Sequence, residues 1–230
     1  MIVFSDLDRS IIYSKRFLKD DTTKLEIEIY NGENISYISK ETVELIKKIK
    51  QNSYFIPTTT RTIVQFKRIS FSKYGLDFKY AVTSNGGNIL VNGEVDKEYK
   101  LLIKEKLKLS SHIKDIIELL ENYKSIKGIK KIRKAEELFL YIVIDRDTFD
   151  FKLLQPFIDE IKKLNWDTYI NGTKIYFLPA ELKKSTAVKY LCNKLQHKDT
   201  FAIGDSIMDK DMLDVCKNSY VLKHGELSNL

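Results

Sequence analysis

Four short apolar runs, each ending in a polar loop, constrain this chain more than any other feature. Ile2-Val3-Phe4 runs into Ser5-Asp6-Leu7-Asp8, Tyr54-Phe55-Ile56 into Thr58-Thr59-Thr60, Tyr80-Ala81-Val82-Thr83 into Asn85-Gly86-Gly87, and Thr200 to Ile203 into Gly204-Asp205-Ser206-Ile207-Met208-Asp209. Apolar runs this short mark strands buried on both faces, as in a parallel sheet. The intervening stretches read as helices. Thr42 to Lys50 spaces Val43, Ile46 and Ile49 at helical intervals, Ile63, Phe66 and Ile69 do the same, and a further helix is expected from about Ser185 to Leu195. An α/β, Rossmann-like core with a parallel sheet follows, and ligands of such sheets bind beyond the carboxyl ends of the strands.

Two segments depart from this rhythm. Leu25 to Tyr30 alternates, and Asn31-Gly32 supplies a tight turn before Ile35 to Ile38, so a hairpin flap is expected near the first loop. Between about Asn88 and Phe177 the pattern changes. A long lysine-rich helix places Ile113, Ile116, Ile117 and Leu120 on one face, and Leu138 to Ile144 reads as a strand. Leu154, Phe157, Ile158 and Ile161 mark another helix, and Asn171-Gly172 separates two halves of a hairpin, Trp166 to Ile170 and Lys174 to Leu178. The expected organisation is a core of residues 1–87 and 178–230 interrupted by an inserted α+β cap at residues 88–177.

Charge sharpens this division. The chain of 230 residues carries a net charge of +7, and Lys97 to Lys134 alone holds twelve Lys/Arg against five Asp/Glu. One reading is a solvated lysine face; the other is a surface that draws in an anionic substrate or nucleic acid. A strand-binding surface would interleave aromatic platforms, and this block has only Tyr99 and Tyr123, so a small phosphorylated metabolite is favoured over a nucleic-acid strand, which is left open. No apolar stretch approaches the ~20 residues of a membrane span, and no basic-then-apolar leader opens the chain, so no membrane partner and a cytoplasmic location are expected. Cys192 and Cys216 lack metal-ligand spacing and read as packed thiols. Nothing in the pattern selects an oligomeric state.

The chemistry concentrates at the strand ends. Asp6 and Asp8 project from the same side of an extended strand end, where one carboxylate can serve as nucleophile or metal ligand and the other can exchange a proton with a leaving group. Thr59 offers a hydroxyl and a backbone N–H to a phosphoryl oxygen. Lys184 opens a later helix and could offset the charge of crowded carboxylates and phosphate, while Asp6, Asp8, Asp205 and Asp209 could hold a hard cation through oxygen. Taken singly, Thr59 is a turn residue, Lys184 a solvated lysine and Asp209 a helix cap. Their joint order is what argues for a site.

That order resembles the haloacid dehalogenase superfamily of phosphohydrolases. Asp6-Leu7-Asp8-Arg9-Ser10 looks like its nucleophile motif, Thr59-Thr60-Arg61 like its second motif, Lys184-Ser185-Thr186-Ala187 like its lysine motif and Gly204-Asp205-Ser206-Ile207-Met208-Asp209 like its metal motif. Ser84-Asn85-Gly86-Gly87 resembles the Asn-Gly loop of the Cof-type branch, which includes sucrose-phosphate phosphatases and inserts an α+β cap between the second and third motifs. The stretch Asp6 to Arg16, with Thr59 to Thr62 and Gln65, also resembles hydrolases of tellurite-resistance-type stress operons.

The resemblance implies an Mg²⁺-dependent phosphatase acting on a sugar- or nucleotide-like phosphomonoester. Asp6 would form an aspartyl-phosphate, and Asp8 would protonate the leaving oxygen and then activate water. Thr59 and Lys184 would hold the phosphoryl group, and Thr60, Arg61, Asn85 and Gly86 would line the substrate site. Asp6 and Asp205 would bind Mg²⁺ directly, Asp209 directly or through water, and Asp8 through its backbone carbonyl. Arg9 and Thr60 stand where the family has glycine, and Met208 where it has asparagine. A phosphomutase, or a catalytically weak protein holding nucleic acid or an acidic partner, remains the alternative at this level.

Overall fold

The computed structural model describes residues 1–17 and 23–229, and the chain divides into two compact units, Met1–Lys100 with Lys183–Leu230, and Leu101–Leu182. In chain order the first unit opens with β1 (Ile2–Ser5), the hairpin β2 (Lys24–Tyr30) and β3 (Glu33–Ser39), α1 (Lys40–Lys50), β4 (Tyr54–Pro57), α2 (Ile63–Lys67), β5 (Tyr80–Thr83), β6 (Asn88–Val91) and β7 (Glu94–Val95). The unit boundary falls within α3 (Lys97–Leu107). The second unit then comprises α4 (Ile113–Glu121), β8 (Ile129–Ala135), β9 (Phe139–Ile144), α5 (Phe151–Lys163), β10 (Trp166–Asn171) and β11 (Lys174–Pro179). The chain returns through α6 (Lys184–Leu195), β12 (Thr200–Gly204), α7 (Lys210–Val215) and β13 (Asn218–Val221).

A parallel sheet in the order β13-β12-β1-β4 forms the centre of the first unit. Val3 and Phe55 join Ile27 and Ile38 of the hairpin and Val43 and Ile46 of α1 in one apolar cluster. Alternation sends Ile2, Phe4, Ile56 and Ala202 to the other face, and all four are fully buried, as the short all-apolar runs require. A parallel bridge, Thr58 with Val82, adds β5 beside β4, and β6 and β7 extend that edge antiparallel. Strands β4 and β12 flank β1 on opposite sides. Connections leaving β1 in both directions open a crevice at its carboxyl end, which is where Asp6 follows.

In the second unit, four antiparallel strands in the order β10-β11-β9-β8 bury Leu140, Ile142, Ile175, Phe177 and Trp166 against Ile113, Ile116 and Leu120 of α4 and Leu154, Phe157 and Ile161 of α5. Among its lysines, Lys108, Lys124, Lys130 and Lys134 pair with Glu105, Glu121, Asp145 and Glu137, which makes much of the basic block a solvated, partly neutralised surface.

The structure revises several local expectations. The long lysine-rich helix is two helices: after α3, His112 accepts from the Lys114 N–H while Asp115 accepts from the His112 N–H, a reciprocal cap that starts α4 afresh. The β10–β11 turn is one residue later than Asn171-Gly172 suggests. Asn171 pairs with Lys174, leaving Gly172-Thr173 as the loop, with Gly172 at a φ of 59°. Strand β2 does not simply alternate either, because its register shifts on both sides of Glu28. The bulge turns Glu28 inward beside Ile27, each 1% exposed, and leaves Ile29 59% exposed. No helix among the described residues is long and apolar enough to cross a membrane.

Candidate active site

Backbone hydrogen bonds beyond the regular strands fix where the site begins. Asp6 N donates to Ile203 O at 2.8 Å, Thr58 N to Ser5 O at 2.8 Å, and Thr59 N to Val82 O at 2.9 Å. Four neighbouring strands, β12, β1, β4 and β5, therefore release their loops at one level. Asp6, Thr59 and Asp205 are all buried there.

Lys184 joins the loops. It is the first residue of α6 and 1% exposed, and its ammonium donates to Asp6 Oδ1 at 2.7 Å, Asp209 Oδ1 at 2.6 Å and Thr58 O at 2.8 Å. All three of its protons are thereby used. Burial alone would push this lysine down, but Asp209 and Asp6 override it and hold the ammonium above its ordinary range.

Asp209 is fully buried, and its Oδ2 accepts from Asp205 N at 3.1 Å, Ser206 N at 3.0 Å and Ser206 Oγ at 2.9 Å. The loop wraps so tightly that a Cβ on Gly204 would stand 2.5 Å from Asp209 Cβ, so only glycine fits. Ser206 was not singled out from the sequence. Its Ser-x-x-Asp spacing with Asp209 is a capping signal that could have identified it.

Asp6, Asp205 and Asp209 can each present a carboxylate oxygen within 4.8 Å of the other two. Burial, with the Asp209 charge behind it, raises Asp6 well above the usual carboxylate range against the pull of Lys184. Burial and Asp209 raise Asp205 in the same way, against Arg9 and Lys184. Lysine alone thus leaves an excess of negative charge. An all-oxygen, carboxylate-rich donor set with that excess fits a hard divalent cation such as Mg²⁺.

The remaining candidates sit around this cluster. Asp8 lies on the more exposed side, gripped by Arg61, whose Nε and Nη2 donate to its two carboxylate oxygens at 2.8 Å each. Thr59 Oγ1 accepts from Arg61 N at 3.1 Å, and Thr60 beside it is half-buried. Ser84, Asn85 and Gly86 take successive φ values of 54°, 56° and 88°, and Ser84 N and Asn85 N donate to the carbonyls of Arg61 and Thr59 at 2.7 and 3.0 Å. Consecutive left-handed non-glycine residues are strained, and here they lock the second and Asn-Gly loops together. Gly86 approaches so closely that an added Cβ would lie 2.2 Å from Lys183 O, and its own carbonyl accepts from the buried Tyr99 hydroxyl at 2.6 Å. Tyr99 and Thr58 were not anticipated, and no motif marks them.

The departures from glycine and asparagine also acquire structure. Arg9 has a φ of 63°, the left-handed conformation that glycine adopts most readily, and is held by a reciprocal pair: its Nη2 donates to His224 O at 2.9 Å, and His224 Nε2 lies 2.8 Å from Arg9 O. Its guanidinium reaches Asp205 at 3.6 Å, adding a cation to the carboxylate cluster. Thr60 lies outside the left-handed region and needs no glycine. Met208 is buried and brings no side-chain oxygen to the loop.

The chain is similar to known proteins in sequence pattern and in fold. The sequence pattern of the haloacid dehalogenase-like hydrolases matches residues 31–175 and 127–227. A Streptococcus pyogenes serotype M6 protein named as a phosphatase is 35% identical over 79 residues, 32% of this chain and 29% of that protein's length. The sucrose-phosphatase of Synechocystis sp. PCC6803, solved with sucrose and phosphate, has a TM-score of 0.69 and 14% identity, covering 100% of this chain and 85% of that one. A trehalose-6-phosphate phosphatase related protein gives a TM-score of 0.56 and 15% identity, covering 96% and 91% of the two chains. A Thermotoga maritima protein gives 0.60 and 15%, covering 97% and 86%. At such identities these structures speak for the fold.

Proposed function

We infer the reaction from one premise: the chain belongs to the haloacid dehalogenase-like hydrolases. The reaction is hydrolysis of a small phosphomonoester, of the sugar- or nucleotide-phosphate class, through an aspartyl-phosphate. The observation that carries this reading is Lys184 bridging Asp6 and Asp209 beside Asp205, in the crevice at the end of β1. The phosphatase names among the similar proteins support the same class of reaction, and two of them are named for sugar phosphates.

In the first step an Asp6 oxygen forms a bond to phosphorus as the ester P–O bond breaks, and Asp8 gives its proton to the departing oxygen. In the second, Asp8 takes a proton from water, whose oxygen attacks phosphorus and releases inorganic phosphate and the Asp6 carboxylate. Thr59 holds a non-bridging oxygen, Lys184 offsets the phosphoryl charge from behind Asp6 and Asp209, and Thr60, Asn85 and Gly86 form the adjoining loop walls. Asp6 and Asp205 would hold Mg²⁺, with Asp209 and the Asp8 carbonyl completing the protein side. When bound, the ion supplies Lewis acidity that screens the nucleophile from the incoming phosphate. Residues of the first unit, Met1–Lys100 and Lys183–Leu230, perform the chemistry.

A panel of metabolite phosphates assayed with Mg²⁺ tests the reading. Release of inorganic phosphate from sugar or nucleoside monophosphates, lost in Asp6→Asn, is expected. Turnover unchanged in Asp6→Asn would exclude Asp6 as nucleophile.

A further inference from the structure

Glu28 is a fully buried carboxylate to which the steps above assign nothing. It occurs where the bulge of β2 breaks the alternation and turns a charged side chain into the protein. Its Oε2 accepts from Arg61 Nη1 at 2.8 Å and from the Ser36 hydroxyl, while its Oε1 accepts from Arg68 Nε at 2.8 Å. Arg68 is in turn stacked over the Tyr30 ring at 4.4 Å. The backbone anchors the arrangement, since Glu28 bridges to Ile69 and Ser70 N donates to Ile27 O at 2.8 Å.

Burying a carboxylate costs several kcal/mol unless it is well paired, and an apolar side chain would fill the same space without that cost. The arrangement therefore achieves something other than packing. The Arg61 guanidinium is planar, so fixing one end of its fork at Glu28 fixes the other at Asp8. Asp8 stands on a loop with half of its side chain exposed, and this fork sets both of its oxygens.

We propose that Glu28 is a positioning residue: from the bulge of the hairpin it holds the Arg61 fork, and the fork fixes where the Asp8 carboxyl group stands for its proton transfers. This rests on the reading of Asp8 as proton donor and acceptor. Arg61 accordingly acts through Asp8, and the hairpin becomes a part of the catalytic geometry that proton transfer depends on.

The test compares two substrates, an activated aryl phosphate and an alkyl phosphate with a poor leaving group, in Glu28→Gln, Asp8→Asn and the double variant. The ratio of the two kcat/KM values within one preparation does not depend on the folded fraction, and it reports the first step alone, because the hydrolysis of the intermediate common to both substrates comes after the alcohol has left. In Glu28→Gln, kcat/KM for the alkyl phosphate should fall about tenfold or more and for the aryl phosphate by less than about threefold. In the Asp8→Asn background, Glu28→Gln should add almost nothing. Should Glu28→Gln fail to fold, Ser36→Ala loosens the same carboxylate and should shift the ratio in the same direction by a smaller factor. Equal loss on both substrates, or a full additional loss on top of Asp8→Asn, makes Glu28 merely structural and overturns the proposal. If Asp8→Asn itself shows no leaving-group preference, the proton-transfer reading fails and takes the Glu28 proposal with it.

Discussion

Lys184 and Asp6, separated by 178 residues in sequence, form a buried 2.7 Å ion pair. Asp209 shares the same ammonium at 2.6 Å, so one cation is interposed between two buried carboxylates. The pairing connects the opening strand to a helix in the second half of the chain, and it makes the fold and the chemistry interdependent.

Lys184→Met removes the charge at nearly constant volume and leaves both carboxylates buried without it. Protein freed of divalent cations should lose about 3–5 kcal/mol of stability, read from urea unfolding. Turnover should fall by about 10²-fold or more, since the phosphoryl group loses its cationic partner. A variant as stable and active as the parent would show that Lys184 carries neither role.

Asp205→Ala separates metal binding from folding. Mg²⁺ at about 100 times its dissociation constant should stabilise the parent by ~2.7 kcal/mol, because a ligand that binds only the folded state shifts unfolding by mass action. The same Mg²⁺ concentration should leave the variant's melting temperature almost unmoved. An equal thermal shift in both proteins would take Asp205 out of the metal site.

Asp96 gives a pH signature away from the site. Burial pushes its carboxyl up, but hydrogen bonds from Lys194 and from the Tyr99 N–H outweigh this and hold it below its ordinary value of 3.8. A lowered folded value means stability that is present above 3.8 and is lost as pH falls through the folded value. Asp96 also caps the first turn of α3, a role that asparagine keeps, so the cost of Asp96→Asn at pH 7, about 1 kcal/mol, comes from losing the charge in the hydrogen bond from Lys194. The gap between parent and variant should close as unfolding is followed into acid below pH 4; a gap independent of pH would mean that the charge contributes nothing.

The cluster was legible because Asp6, Thr59 and Asp205 each end an apolar run and Lys184 opens a helical pattern, so topology alone brings them to one crevice. Glu28 was not legible. A bulge inserts a step into the alternation, and only the paired strand reveals that Ile27 and Glu28 face inward together. The break between α3 and α4 was hidden for a related reason: apolar spacing persists across Ser110-Ser111-His112, and the stop depends on a histidine cap. Strand β8 has four charged residues among its seven, which an edge position permits and which an apolar pattern cannot signal.

The central claim is that Asp6 carries the phosphoryl group, and Asp8→Asn offers the means to catch it. With an activated aryl phosphate the first step needs little help from an acid, whereas the second lacks its base, so the intermediate should accumulate. Acid quenching followed by borohydride should convert Asp6 to homoserine in the amino-terminal peptide, as mass spectrometry reads directly, and only in protein exposed to substrate. Stoichiometric release of the aryl alcohol in the first turnover with Asp6 unmodified, or modification at another carboxylate, would contradict the account.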